Sequence, residues 1–169
     1  MNRPATLLVL LLAGLLAGCG GGSRPTGIRA AETPADDVAE YQPRWRSHTV
    51  DSTQYRKVFL AGTIDMGRSA DWQAALVARF RDSIGGRWLF FNPRRREFHA
   101  SPAEMEYQVA WELAHLEAAD LIVMNLLGDS RSPISLLEMG LYARSGKLFV
   151  ACSPDYYRYD NVRSTCRRY

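Results

Sequence analysis

A chain of 169 residues with 21 Lys and Arg against 18 Asp and Glu carries a net charge of only +3, and one of the cations, Arg3, lies in a leader-like opening. So even a balance excludes a dedicated nucleic-acid binder, which concentrates a basic face. With no internal repeat and no second long apolar stretch, the chain has room for one domain of moderate size.

Asn2 and Arg3 open a short polar region, residues 7–16 are almost wholly apolar, and Leu16-Ala17-Gly18-Cys19 closes them with small residues. The apolar part is too short for a helix spanning a hydrocarbon layer of ~30 Å, so it reads as a signal peptide. A Cys after that small pair resembles a bacterial lipobox. The resemblance implies cleavage before Cys19, a diacylglycerol on its thiol and a further acyl chain such as palmitate on the new amino terminus. Two or more acyl chains anchor a protein firmly. Gly20, unlike an Asp there, implies no retention at an inner membrane. The expected place is the cell envelope, on the periplasmic side of the outer membrane where a cell has two. Residues 20–54 are rich in Gly, Pro, Ala, Ser and charge. They read as a tether, with Tyr41 and Trp45 able to dock its end. The expected layout is a signal peptide at 1–18, a lipidated Cys and tether at 19–54, and a folded domain at 55–169.

Inside that domain, residues 57–61 form an apolar run ended by Gly62, which suits a buried strand. Ser69 is positioned to cap a helix carrying Trp72, Leu76, Val77 and Phe80 on one face. Gly85-Gly86 stops it, and residues 88–91 supply a second strand. Ser101-Pro102-Ala103-Glu104 has the capping-box pattern with Pro at the first helical position, and Val109, Leu113 and Leu116 follow at helical spacing. A third strand covers 121–127. Ser132-Pro133 opens another helix that ends near Gly146, and 147–151 is a fourth strand. This alternation predicts an α/β fold: a three-layer, Rossmann-like (flavodoxin-like) parallel sheet with helices on both faces. Ligands bind such sheets beyond the carboxyl ends of the strands, where strand order reverses. Here that point falls between the first and third strands, at the loops 62–69 and 128–133.

Glu138 is the sole charge in the helix after the third strand until Arg144. A helix apolar nearly all round is normally buried, and a carboxylate there is costly without compensation. Ile134, Leu137 and Leu141 form a stripe suited to the sheet, and Ser135, Glu138 and Tyr142 form another. A surface glutamate is the alternative. Asp65 lies in the Gly-bracketed first loop. Glu112 approaches the same pocket if its helix tilts inward, and is otherwise a solvated residue. Asp120 reads as structural. Carboxylates around an apolar cleft suit chemistry in which positive charge develops on a substrate, as in glycosidic cleavage. Residues 62–69 have P-loop glycine spacing, but Arg68 replaces the Lys and Asp65 puts negative charge in the cradle, which argues against a nucleotide triphosphatase. Arg94-Arg95-Arg96 reads as a phosphate ligand or, slightly favoured, a solvated loop. Cys152 and Cys166 are left open between a disulfide and free thiols, and His48, His99 and His115 show no metal-ligand spacing.

These motifs together resemble the nucleoside 2-deoxyribosyltransferase-like family. They are Gly62-Thr63-Ile64-Asp65-Met66-Gly67 with Asp71-Trp72-Gln73, Asn92-Pro93-Arg94-Arg95, Trp111-Glu112-Leu113, Ser132 to Gly140 and Asp160-Asn161-Val162. The resemblance spans about residues 57–166. It implies a Rossmann-like fold and an enzyme that acts on N-glycosidic bonds, transferase or hydrolase, with Glu138 as carboxylate nucleophile. It also implies substrate-binding roles for Gly62, Asp65, Asn92, Glu112, Ser132 and Ser135, with no cofactor and no metal. The expected partners are a nucleoside or nucleotide and the membrane through Cys19, with a homo-oligomer left open and no nucleic acid. The alternative is a non-catalytic envelope lipoprotein that binds a nucleoside-like ligand or a protein partner.

Overall fold

The computed structural model describes residues 37–97, 99 and 101–169. The leader and Cys19 lie outside the described residues. Strand β3 (Arg56–Gly62) leads through α1 (Trp72–Ser83) to β4 (Trp88–Phe91). Helix α2 (Pro102–Ala118) then leads to β5 (Leu121–Leu126), and α3 (Pro133–Tyr142) to β6 (Leu148–Cys152). Two strands precede this series, β1 (Val38–Gln42) and β2 (Trp45–Arg46), and α4 (Tyr159–Arg168) follows it. The sheet order is β2-β1-β4-β3-β5-β6, parallel throughout except for the β1–β2 hairpin. This is the expected α/β architecture, and β3 and β5 flank the point where strand order reverses.

The tether expected through residue 54 ends earlier. Val38–Gln42 pairs in parallel with β4, with Ala39 opposite Leu89 and Tyr41 opposite Phe91. Val38, Ala39 and Tyr41 are all buried. A five-residue strand that becomes apolar only against its neighbour leaves little trace in a polar stretch.

Helices cover both faces of the sheet. Trp72, Leu76, Val77 and Phe80 of α1 pack with Val38, Val58, Leu60 and Phe90. The opposite face holds the larger core, where Trp111 and Leu116 of α2, Leu136, Met139 and Tyr142 of α3, and Val162 and Cys166 of α4 meet Phe59, Leu89, Ile122 and Met124. Cys152 and Cys166 are free thiols, held in their neutral form as burial raises both above the ordinary range.

Caps and loop anchors position the elements. Asp71, rather than Ser69, caps α1 by accepting from the Ala74 amide at 3.0 Å, while Ser69 donates to the Ile64 carbonyl. Ser101 caps α2 as expected, accepting from Glu104 N at 3.1 Å. The Glu104 side chain does not complete the box and pairs with Arg44 and Arg95 instead. Asp120 is structural, accepting from Lys57 N at 2.8 Å. Lys147 Nζ caps the other end of α2 by donating to the carbonyls of Leu116, Glu117 and Ala119. Gly62 ends β3 at φ +116°, where a Cβ would lie 2.2 Å from the Asn125 carbonyl oxygen. Only glycine allows the two switch-point strands to approach so closely there.

Helix α3 is turned relative to expectation. Ile134, Leu137 and Leu141 are 61%, 65% and 60% exposed, whereas Ser135, Glu138 and Tyr142 are buried. Because the helix is apolar on nearly every side, periodicity alone does not choose its inner face. The inward side is the one that places Met139 and Ala143 against the core.

Candidate active site

The loops after β3 and β5 meet through a chain of hydroxyls. Thr63 Oγ1 accepts from Leu127 N at 3.0 Å and lies 2.8 Å from Ser132 Oγ. Ser132 Oγ lies 2.7 Å from Ser130 Oγ, and Ser130 donates to Asp65 Oδ1 at 2.9 Å. The Thr63 carbonyl receives the indole of Trp72 at 2.9 Å and the Gln73 amide at 3.4 Å. Asp65, Met66 and Ser132 all have positive φ, at 48°, 55° and 38°. Such backbone is disfavoured for residues with side chains, and its concentration in two facing loops marks a site the surrounding structure holds in place. Above the loops lies a cleft of about 400 Å³ lined by Asp65, Arg68, Ser69, Asp129, Ser130 and Arg131.

Each member of the arginine run is anchored, contrary to the solvated-loop expectation. Arg94 donates to the Gly67 and Ser69 carbonyls at 2.9 and 2.8 Å, pinning the first loop. Arg95 pairs with Glu104 at 2.7 Å. Arg96 stacks over Trp45, 3.6 Å from the ring centre, which ties the hairpin down.

Glu138 lies one turn and a half into α3 and is only 8% exposed. Among the described residues no donor or cation meets its carboxylate, whose oxygens keep some contact with solvent. Burial, and then the nearby charge of Glu112, push its pKa up to about 8, so the unliganded carboxyl is mostly neutral at pH 7. Glu112, on α2, is raised by burial as well, against the opposing effects of a hydrogen bond from Gln108 and the charge of Arg95. The two carboxyl groups therefore form an interacting pair between α2 and α3. Ser135, on the same face of α3 one turn before Glu138, is buried and likewise has no hydrogen-bond partner among the described residues. Glu138 lines neither the 400 Å³ cleft nor a smaller groove of about 270 Å³ between α3 and α4.

Gly62, Asp65 and Ser132 thus gather at the switch point, while Ser135 and Glu138 lie on the buried side of α3 and Glu112 on α2. Asn92 stands at the end of β4, with its amide nitrogen donating to Glu40 Oε1 at 2.8 Å and its oxygen accepting from Arg94 N at 3.0 Å. Its side chain organises the loop there. Thr63, Ser130 and Arg95 lie in segments the sequence singles out, but their contacts were not foreseen, and Gln108 escaped the sequence reading altogether. Among the described residues, no group of three or more His, Cys, Asp or Glu gathers to hold a metal.

The family profile described as nucleoside 2-deoxyribosyltransferase like matches residues 55–156. The chain belongs to the nucleoside 2-deoxyribosyltransferase-like family. No curated protein matches it significantly. The part matching the nucleoside 2-deoxyribosyltransferase-like profile runs from just before β3 to just past β6. It holds both switch-point loops and the acid pair, and it leaves out the β1–β2 hairpin and α4.

Proposed function

We propose that this protein cleaves the N-glycosidic bond of a nucleoside or nucleotide, as transferase or hydrolase, with Glu138 as nucleophile. The observation that carries the reading is a buried glutamate whose carboxylate meets no partner among the described residues and feels the charge of a second acid, in a fold whose family is named for deoxyribosyl transfer. A buried acid left without donors is costly unless its function requires it. In the proposed step a Glu138 oxygen attacks the anomeric carbon while the bond to the base nitrogen breaks. The bonding pair leaves with the base, which takes a proton from solvent. Water or a second base then displaces Glu138 from the sugar, and two displacements retain the anomeric configuration. Asp65, Ser132 and Ser135 are assigned to the sugar and its 5′ substituent, and Glu112 to the base.

Incubating the protein with a panel of deoxynucleosides and nucleotides, with and without a second base, and assaying free base by chromatography tests the reading. Release of base from at least one member is expected. Binding measured by calorimetry without any release would favour a ligand-binding protein instead.

We further propose that Cys19 carries the lipid that holds the domain at the envelope. Replacing it, Cys19→Ala, is expected to move the protein from the membrane fraction to the soluble fraction. Unchanged partitioning would refute the anchor.

A further inference from the structure

We propose that Gln108, held in place by Arg95, is a positioning residue that fixes the Glu112 carboxylate and leaves the proton of the acid pair on Glu138. This rests on the reading of Glu138 and Glu112 as the working acids.

The geometry is directional. A guanidinium can only donate, so the Arg95 Nε–H contact fixes which end of the Gln108 amide is its oxygen. The amide nitrogen must then face the other way, and both of its hydrogens find acceptors: Glu112 Oε1 at 2.7 Å and the Pro93 carbonyl at 3.0 Å. Gln108 thereby has no free rotamer to explore. Arg95 is fixed in turn, its side chain only 7% exposed, by Glu104 Oε2 at 2.7 Å and the Glu104 carbonyl at 3.2 Å. Glu104 is shared with Arg44, which reaches it at 2.9 Å from the β1–β2 turn and covers the Tyr107 ring, 3.8 Å from its centre. The chain Arg44–Glu104–Arg95–Gln108–Glu112 thus begins outside the segment that matches the family and ends at the acid pair.

A donated hydrogen bond favours the charged form of a carboxylate, and a cation nearby acts in the same direction. Glu112 has both, and Glu138 has neither among the described residues. The remaining charged or titratable groups around the pair do not reverse this order. His115, stacked on Trp111 at 3.9 Å and donating from Nδ1 to the Trp111 carbonyl at 2.7 Å, is pushed toward its neutral form by burial. Tyr142 donates to Glu117 at 2.8 Å, and burial raises its own pKa to about 12. Two acids that would otherwise compete for one proton are therefore made unequal by a neutral amide.

The test is a direct titration of full-length protein in detergent micelles, with glutamate side-chain carboxyls labelled with ¹³C and read by NMR. Glu112→Gln and Glu138→Gln assign the two signals. Gln108→Leu removes the donor at similar volume. It is expected to move the Glu112 midpoint up by about one pH unit, tenfold in proton affinity, and to move the Glu138 midpoint down as its neighbour turns neutral. A folded Gln108→Leu protein in which Glu112 titrates where it did in the parent overturns the proposal. Should that variant fail to fold, Arg95→Lys serves, since it keeps the charge and loses the fixed fork. A smaller upward shift is expected, and an unmoved midpoint overturns the proposal equally. The readout does not depend on turnover. Absence of base release with a shifted midpoint would refute the enzymatic reading alone, and base release with an unmoved midpoint would refute the positioning role alone.

Discussion

Replacing Glu138 by Gln is expected to lower base release by about 1,000-fold or more, because an amide of the same shape has no nucleophilic oxygen to offer the anomeric carbon. The substitution is mild for the fold, since the carboxyl is already mostly neutral in its buried setting. Loss of activity with an unchanged circular dichroism spectrum would therefore report chemistry. The pH dependence adds a second signature. Attack requires the ionised form, while burial and the Glu112 charge favour the neutral one and place the pKa at about 8. With substrate well below saturation, the parent's rate should climb as pH rises toward that value and level off beyond it. A rate that is flat between pH 6 and 9, or a variant that keeps a tenth of parental release, would remove Glu138 from the nucleophile's place.

The parts of this molecule that were legible in the sequence are those specified by neighbours along the chain. Apolar runs of β3 to β6, broken by Gly62, Gly85-Gly86 and Gly146, give the central strands, and Ser101 with Pro102 gives the start of α2. Glu138 stands out because it is a charge among apolar residues, which no other position in α3 shares. What stayed hidden is specified across the fold. Val38–Gln42 is a strand only because β4 has an open edge for it. Helix α4 puts Tyr159, Val162 and Cys166 at helical spacing on one face of an otherwise polar stretch, a short amphipathic signal that the strand-and-helix alternation passed over. Three consecutive arginines look the same in sequence whether hydrated or anchored, and here Gly67, Glu104 and Trp45, far apart in the chain, decide the matter. The orientation of α3 is the most instructive case. Two apolar arcs compete for the core, and the one that wins takes the carboxylate inside with it.

That inward carboxylate has a consequence for stability that holds whether or not the protein turns over any substrate. The folded-state pKa of Glu138, about 8, lies above the ordinary value of 4.5 that the unfolded chain would show. Below 4.5 both states are protonated and the group is neutral with respect to folding. Between 4.5 and 8 the unfolded chain releases a proton that the native state retains, so stability falls as pH rises. Above 8 both states are ionised and the native state carries the full cost of the buried charge, on the order of 5 kcal/mol. Glu112 is raised as well and contributes in the same direction. Glu138→Gln cannot ionise and relieves Glu112 of its neighbour's charge. Urea unfolding at pH 5 and pH 9 is expected to show the parent losing about 3–5 kcal/mol more than the variant over that interval, with the variant the more stable protein at pH 9. Equal pH slopes for the two proteins would mean that the Glu138 carboxylate is hydrated or paired in solution. In that case both the buried charge and the chemistry built on it would fall together.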